Sequence, residues 1–220
     1  MKYKSIIFDF DSTIVSIEGL EFLAEVSLAN NPNKEIIFKK IKRITNLSMN
    51  GKIKFDKSLS ERVNMLSPTR SQALQAGTQI AKLISKSFLK NKKFFSKYAE
   101  NIYVISGGFE ELIIPSTEKL GILKNKVFAN QFIFNDHDKV IGLDSSRLTS
   151  KHLGKVKQLK ALHLPIPAVI IGDGYTDYEV KERGVVQDFI VYTEHAKRDN
   201  VVQNADFRAK TFSDILKFIT

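Results

Sequence analysis

Short apolar runs that end in acid or in small polar residues recur along this chain. The first, in YKSIIFDF at residues 3–10, sets β-branched and aromatic residues side by side without alternation. That is how a strand buried on both faces reads. NIYVIS (101–106), AVIIGDG (168–174), DFIVYT (188–193) and DFRAK (206–210) repeat the theme. Between Ser16 and about Gly77 the period changes to a helical one. EGLEFLAEVSLA puts Leu20, Leu23 and Ala24 on one face, and FDKSLSERVNML spaces Phe55, Leu59, Val63 and Leu66 by four, four and three. Pro32, Gly51 and Pro68 punctuate this block. After Gly107 and Gly108 the pattern FEELIIPSTEKLG is again helical, although Pro115 conflicts with a helix interior. VFANQFIFNDHDKVIGLD (127–144) reads as two strand-like runs about a polar turn, a β-hairpin, and FSDILKFIT closes the chain as a helix.

Strands alternating with helices predict an α/β fold with a parallel sheet and right-handed crossovers. The helical block is then a small cap inserted after the first core strand. The expected division is a core of residues 1–15 and 78–220, with the hairpin at about 127–144, and a cap of residues 16–77. Ligands of such sheets bind at the carboxyl ends of the strands. Three strands here end in polar groups: Asp9 with Asp11, Ser106 with Gly107, and Asp173 with Asp177.

Composition narrows the picture. The chain has 220 residues, 43% of them hydrophobic and 26% charged, enough for a full core. It has no cysteine, which excludes disulfides and thiolate chemistry. The start, MKYKSIIFDFD, meets acid too soon for a signal peptide, and no apolar run approaches the roughly 18 residues of a membrane span. A soluble, cytoplasmic protein without a membrane partner is expected. The net charge of +10 gathers partly in KEIIFKKIKR (34–43) and KSFLKNKKFFSK (86–97). Such runs suit a nucleic acid or an acidic membrane, but interleaved apolar residues make them solvated helix faces. No nucleic-acid partner is expected. A basic surface would also draw in a small anion.

Several carboxylates, no cysteine and four histidines without metal-ligand spacing suit Mg²⁺ rather than zinc or copper, because hard cations take oxygen ligands. A carboxylate can also attack phosphorus, and a neighbouring acid can protonate the leaving oxygen. Ser106, a lysine and the backbone amides near Gly107 and Gly108 would hold the phosphoryl oxygens.

DFDST at 9–13, SGG at 106–108 and GDGYTD at 172–177 resemble three ordered motifs of the haloacid dehalogenase (HAD) superfamily. With EGLEFLAE (18–25), SLSERVNML (58–66) and VFANQF, the chain resembles the phosphoserine phosphatase family within it, nearly end to end. The resemblance implies a Rossmann-like core, an aspartyl-phosphate mechanism and a Mg²⁺ cofactor. It makes Asp9 the nucleophile, Asp11 the general acid and base, and Ser106 the phosphoryl-binding hydroxyl. Asp9, the Asp11 carbonyl and Asp173 would hold the metal, with Asp177 beyond them. Glu18 would face a substrate ammonium and Arg62 its carboxylate, while Gly107 and Thr176 would lie near the phosphate. Phosphoserine is the favoured substrate. Another small phosphorylated metabolite, a phosphotransferase, or a nucleic-acid binder on a retired phosphatase fold are the alternatives.

One motif departs. The family's phosphate-binding lysine opens the helix before GDGYTD, and TSKHLGKVKQLKAL offers Lys151 and Lys155. Spacing favours Lys151, since Lys155 should fall inside the following helix.

Overall fold

The computed structural model describes all 220 residues. Eight strands form: β1 (Ser5–Phe8), β2 (Ile102–Phe109), β3 (Val127–Asn130), β4 (Phe132–Phe134), β5 (Val140–Leu143), β6 (Ala168–Gly172), β7 (Asp188–Tyr192) and β8 (Phe207–Ala209). Six of them make one sheet in the order β3-β2-β1-β6-β7-β8, with every pairing parallel. The helices are α1 (Gly19–Ser27), α2 (Lys34–Met49), α3 (Phe55–Asn64), α4 (Arg70–Ile80), α5 (Lys86–Lys90), α6 (Lys92–Lys97), α7 (Glu110–Leu120), α8 (Gly154–Leu162), α9 (Tyr175–Glu182), α10 (Asp199–Val202) and α11 (Phe212–Ile219). None is long and apolar enough to cross a membrane.

The unbroken apolar runs follow from burial on both faces. In β1, Ile6 and Phe8 join the larger core while Ile7 joins the smaller one. In β6, Val169 and Ile171 divide likewise from Ala168 and Ile170. The larger core continues from the sheet into the helical block through Leu20, Ile41, Leu59 and Val63. Beneath β1, Phe8, Phe88, Phe95 and Phe212 pack with ring centroids 4.9 to 6.1 Å apart. The lysines of α5 and α6 stay exposed while Phe88 and Phe95 are buried, so this basic run is the polar side of two amphipathic helices.

The structure revises several local readings. Val127–Asn130 is not a hairpin arm: it pairs in parallel with β2 at the sheet edge, and the antiparallel hairpin is only β4 with β5. β2 does not end at Ser106 but runs through Gly107 and Gly108 to Phe109, with a register shift between Ile105 and Phe109 that makes this strand end irregular. α7 continues across Pro115, held by buried Leu112, Ile113, Ser116, Thr117 and Leu120. The helical block also reaches beyond Gly77. α4 runs to Ile80, and the chain rejoins the core where Val15 and Ile84 form an antiparallel bridge. Gly77 lets α4 press against α7, for a Cβ there would lie 2.2 Å from the Glu111 carbonyl oxygen.

Strand order reverses at β1, which has β2 on one side and β6 on the other. This switch point opens a crevice at the strands' carboxyl ends. Phe8 pairs with Ile171, so Asp9, one residue past Phe8, and Asp173, two past Ile171, emerge at the same end of neighbouring strands.

Candidate active site

Backbone geometry aims the first pair of acids. The Asp9 amide donates to the Ile171 carbonyl at 2.8 Å, the last rung between β1 and β6. The chain then turns back sharply: the amides of Thr13, Ile14 and Val15 all point to the Phe10 carbonyl, and Ser12 adopts a left-handed φ of 53°. A non-glycine residue in that region carries strain. Asp9 is buried, and its Oδ1 accepts the Phe10 amide at 2.7 Å and meets Lys155 Nζ at 2.7 Å. Asp11, half-buried, turns the other way, its Oδ1 accepting the Gly19 amide at the start of α1 at 3.0 Å. Burial, then Glu18 and Asp9, push the Asp11 carboxyl well above the usual range against the pull of the Gly19 amide. A carboxyl that keeps its proton is suited to give it to a leaving oxygen.

The second strand end adds two carboxylates and two cations. Lys155, at the second position of α8, is buried and bridges Asp9 and Asp177 at 2.7 Å each. Burial pulls its ammonium down, but Asp177 and Asp9 outweigh that and raise it. Asp177 also accepts the Gly174 amide at 3.1 Å. Burial, then the charge of Asp9, push the Asp177 carboxyl up to about 7 even beside Lys155. One ammonium cannot balance both carboxylates. Thr13 donates to Asp173 Oδ1 at 3.4 Å. Arg198 lies against Asp173 Oδ2, but that contact is no aligned hydrogen bond and this buried oxygen has no other partner.

The walls come from β2 and the helical block. Ser106 is buried and its Oγ accepts the Gly108 amide at 2.9 Å. Asn130 donates to the Gly107 carbonyl at 2.8 Å and accepts from the Thr149 hydroxyl at 2.7 Å, which fixes the irregular end of β2. The Phe55 ring sits on Gly107, where a Cβ would come within 2.2 Å of it. Glu18 accepts from Ser12 Oγ at 2.8 Å and lies 3.5 Å from Arg198 Nη2. Arg62 is 3% exposed, and its hydrogen bonds go to uncharged groups, the Ser58 carbonyl at 3.3 Å and the Thr45 hydroxyl at 3.2 Å. Burial lowers its guanidinium despite the nearby charges of Glu18, Asp11 and Glu21. Asp9, Asp11, Glu18, Arg62, Ser106 and Lys155 all line one cleft, which holds about 420 Å³ of empty space, part of it open to solvent.

The description haloacid dehalogenase-like hydrolase matches residues 6–181 of this sequence. The chain belongs to that family. It is 29% identical over 216 residues to the chloroplastic phosphoserine phosphatase of Arabidopsis thaliana, an alignment covering 97% of this chain and 70% of the relative. The crystal structure of a phosphoserine phosphohydrolase-like protein from Francisella tularensis superposes with a TM-score of 0.89 at 32% identity, covering 99% of this chain and 100% of the other. A phosphoserine phosphatase solved as a phospho-aspartyl intermediate analogue superposes with a TM-score of 0.79 at 26% identity, all of both chains being covered. The protein is therefore an enzyme, a HAD phosphohydrolase.

In this hydrolase Asp9, Asp11, Glu18, Arg62, Ser106, Gly107, Asp173 and Thr176 come together in the cleft, and Lys151 does not. Lys151 caps the turn at Leu148–Ser150 and lies on the Asp144 side, where it helps, after Ser146 and Arg147, to hold that carboxyl low. The preference for Lys151 gives way for a backbone reason. Leu153 takes a left-handed φ of 55°, so α8 begins only at Gly154 and its first turn swings Lys155 inward. The acids whose oxygens gather within 4.8 Å are Asp9, Asp173 and Asp177, whereas the Asp11 carboxylate is turned to Gly19. An all-oxygen donor set, in which Asp173 Oδ2 makes no aligned hydrogen bond, fits a hard divalent cation such as Mg²⁺. Arg198 escaped the sequence reading altogether, and no spacing pointed to it. Asn130 stood in the quoted VFANQF without a role.

Proposed function

We propose that the enzyme hydrolyses O-phospho-L-serine to L-serine and inorganic phosphate, with Mg²⁺ as cofactor. The helices between β1 and β2 act as the cap that reads the substrate. One observation carries the choice of substrate: Arg62 is a buried guanidinium whose own hydrogen bonds go only to uncharged groups, in the same cleft as Glu18. A buried cation of this kind calls for an anion. A carboxylate of the substrate would receive two parallel hydrogen bonds from Arg62, and Glu18 would hold the ammonium. The similarity to the phosphoserine phosphatase of Arabidopsis thaliana and the phosphoserine phosphohydrolase-like protein named above supports the same reading.

In the chemical step the Asp9 carboxylate attacks phosphorus. The P–O bond to the serine oxygen breaks, and that oxygen takes the proton of Asp11. Asp11, now ionised, takes a proton from water as the water oxygen attacks the phospho-Asp9 phosphorus, which frees phosphate and restores Asp9. Lys155 and Ser106 hold the transferred group. A bound Mg²⁺, held by Asp9, Asp173 and Asp177, would supply further charge neutralisation at the phosphoryl oxygens.

The test is selective. Arg62→Ala should lower kcat/KM for phosphoserine by about 2 kcal/mol or more, the order for losing a charged hydrogen-bond partner. The same variant should cleave p-nitrophenyl phosphate almost normally, because that ester offers Arg62 nothing to hold. Equal losses on both esters would make Arg62 a structural residue and remove the main support for phosphoserine.

A further inference from the structure

Glu194 stands two residues past the end of β7, where the chain leaves the sheet for the segment that brings Arg198 against the cleft residues Asp173 and Glu18. One of its oxygens, Oε2, accepts from three hydroxyls: Ser85 at 2.7 Å, Ser87 at 3.0 Å, and Tyr192. These hydroxyls also meet one another, Ser85 with Ser87 at 3.0 Å and Ser87 with Tyr192 at 2.9 Å. Tyr192 is fully buried with its ring edge-on to Phe88, so the core aims its hydroxyl. None of the four residues lines the cleft, and the chemistry above uses none of them.

What they join is informative. Ser85 lies in the segment through which the helical block returns to the core. Its amide donates to the Ile14 carbonyl at 2.9 Å, the Ser16 amide donates to the Leu83 carbonyl at 3.2 Å, and Val15 bridges Ile84 between them. This return segment therefore rests on the loop that carries Asp9 and Asp11. Four residues after Glu194, the Arg198 guanidinium meets both Asp173 and Glu18. Burial pushes the Glu194 carboxyl up, but the Tyr192, Ser85 and Ser87 hydroxyls outweigh it and keep it ionised and low. A carboxylate so held is a fixed point for both segments.

We propose that Glu194 is a positioning residue: it clamps the return segment of the helical block, at Ser85 and Ser87, to the segment bearing Arg198, and so seats Arg198 against Asp173 and Glu18. The proposal rests on the phosphatase reading of the cleft. It predicts coupling, which a double-mutant cycle measures. Glu194→Ala should lower kcat/KM about tenfold, the order of a small misplacement near the chemistry. In an Arg198→Ala background the same change should cost less than about twofold, because the group it positions is gone. Glu194→Gln, whose amide oxygen can accept the same hydroxyls, should recover activity to within about threefold. Melting temperatures separate stability from positioning, since a drop due to packing alone is the same in both backgrounds. Should Glu194→Ala not fold, the paired change Ser85→Ala and Ser87→Ala removes two clamps and leaves the carboxylate in place. Equal fold-losses in both backgrounds, or no loss at all, would overturn the proposal. The cycle is run on phosphoserine and on p-nitrophenyl phosphate in parallel. If only the second is hydrolysed, the substrate reading fails while the coupling is still measured.

Discussion

Asp9→Asn is expected to abolish hydrolysis, by roughly three orders of magnitude or more, while the protein stays folded. An amide has the size of a carboxylate but cannot form an acyl-phosphate. The fold should not suffer, for a reason visible in the charge count of the site. Asp9, Asp173 and Asp177 face two cations, Lys155 and Arg198. Removing one negative charge leaves two acids against two bases. The Asn side-chain oxygen can still accept the Phe10 amide that now bonds to Asp9 Oδ1 at 2.7 Å. The variant should therefore melt at or above the temperature of the parent. Thermal unfolding beside phosphate-release assays checks both halves. Substantial hydrolysis by a clean preparation would remove Asp9 as nucleophile.

Lys155→Ala is the second large effect, and it should strike activity and stability together. The transferred phosphoryl group would lose its buried ammonium, which should cost kcat about a hundredfold or more. The same change leaves two buried carboxylates without that partner, and breaking a buried pair from one side costs about 3–5 kcal/mol. The pH dependence of that loss has a definite sign. Asp177 already stands at about 7 with Lys155 beside it, above an unfolded aspartate, and losing the ammonium raises it further. The folded form then binds its proton more tightly than the unfolded chain does. The contribution of Asp177 to the variant's stability should be greatest below the unfolded aspartate value and should be lost as pH rises through neutrality. Lys151→Ala should change little, because that side chain lies on the Asp144 side. A larger loss from Lys151→Ala than from Lys155→Ala would return the phosphate-binding role to Lys151.

The contrast between these two lysines shows what a one-dimensional reading can and cannot see. The parallel sheet was legible because strands buried on both faces leave unbroken apolar runs, and the acids at their ends were legible because strands aim whatever follows them. Asp9 and Asp173 needed only the order of strands to meet. Lys155 needed a backbone torsion, the left-handed Leu153, which no residue type at that position signals. Arg198 meets Asp173 and Glu18 from a segment with neither strand nor helix periodicity, and both partners are distant in sequence. The VFANQF run misled for a related reason: Val127–Asn130 and Phe132–Phe134 are both strands, but they belong to different sheets. Apolar pattern reports burial, and it does not report the partner.

Phosphate release from O-phospho-L-serine, phosphoethanolamine and 3-phosphoglycerate at equal concentration with Mg²⁺ tests the central claim most directly. The first offers an ammonium to Glu18 and a carboxylate to Arg62, the second lacks the carboxylate, and the third lacks the ammonium. Phosphoserine should be hydrolysed with the highest kcat/KM, and each missing contact should cost about tenfold or more, the price of a charged hydrogen bond left unmade. A protein that cleaves either of the other two esters as well as phosphoserine would contradict the account.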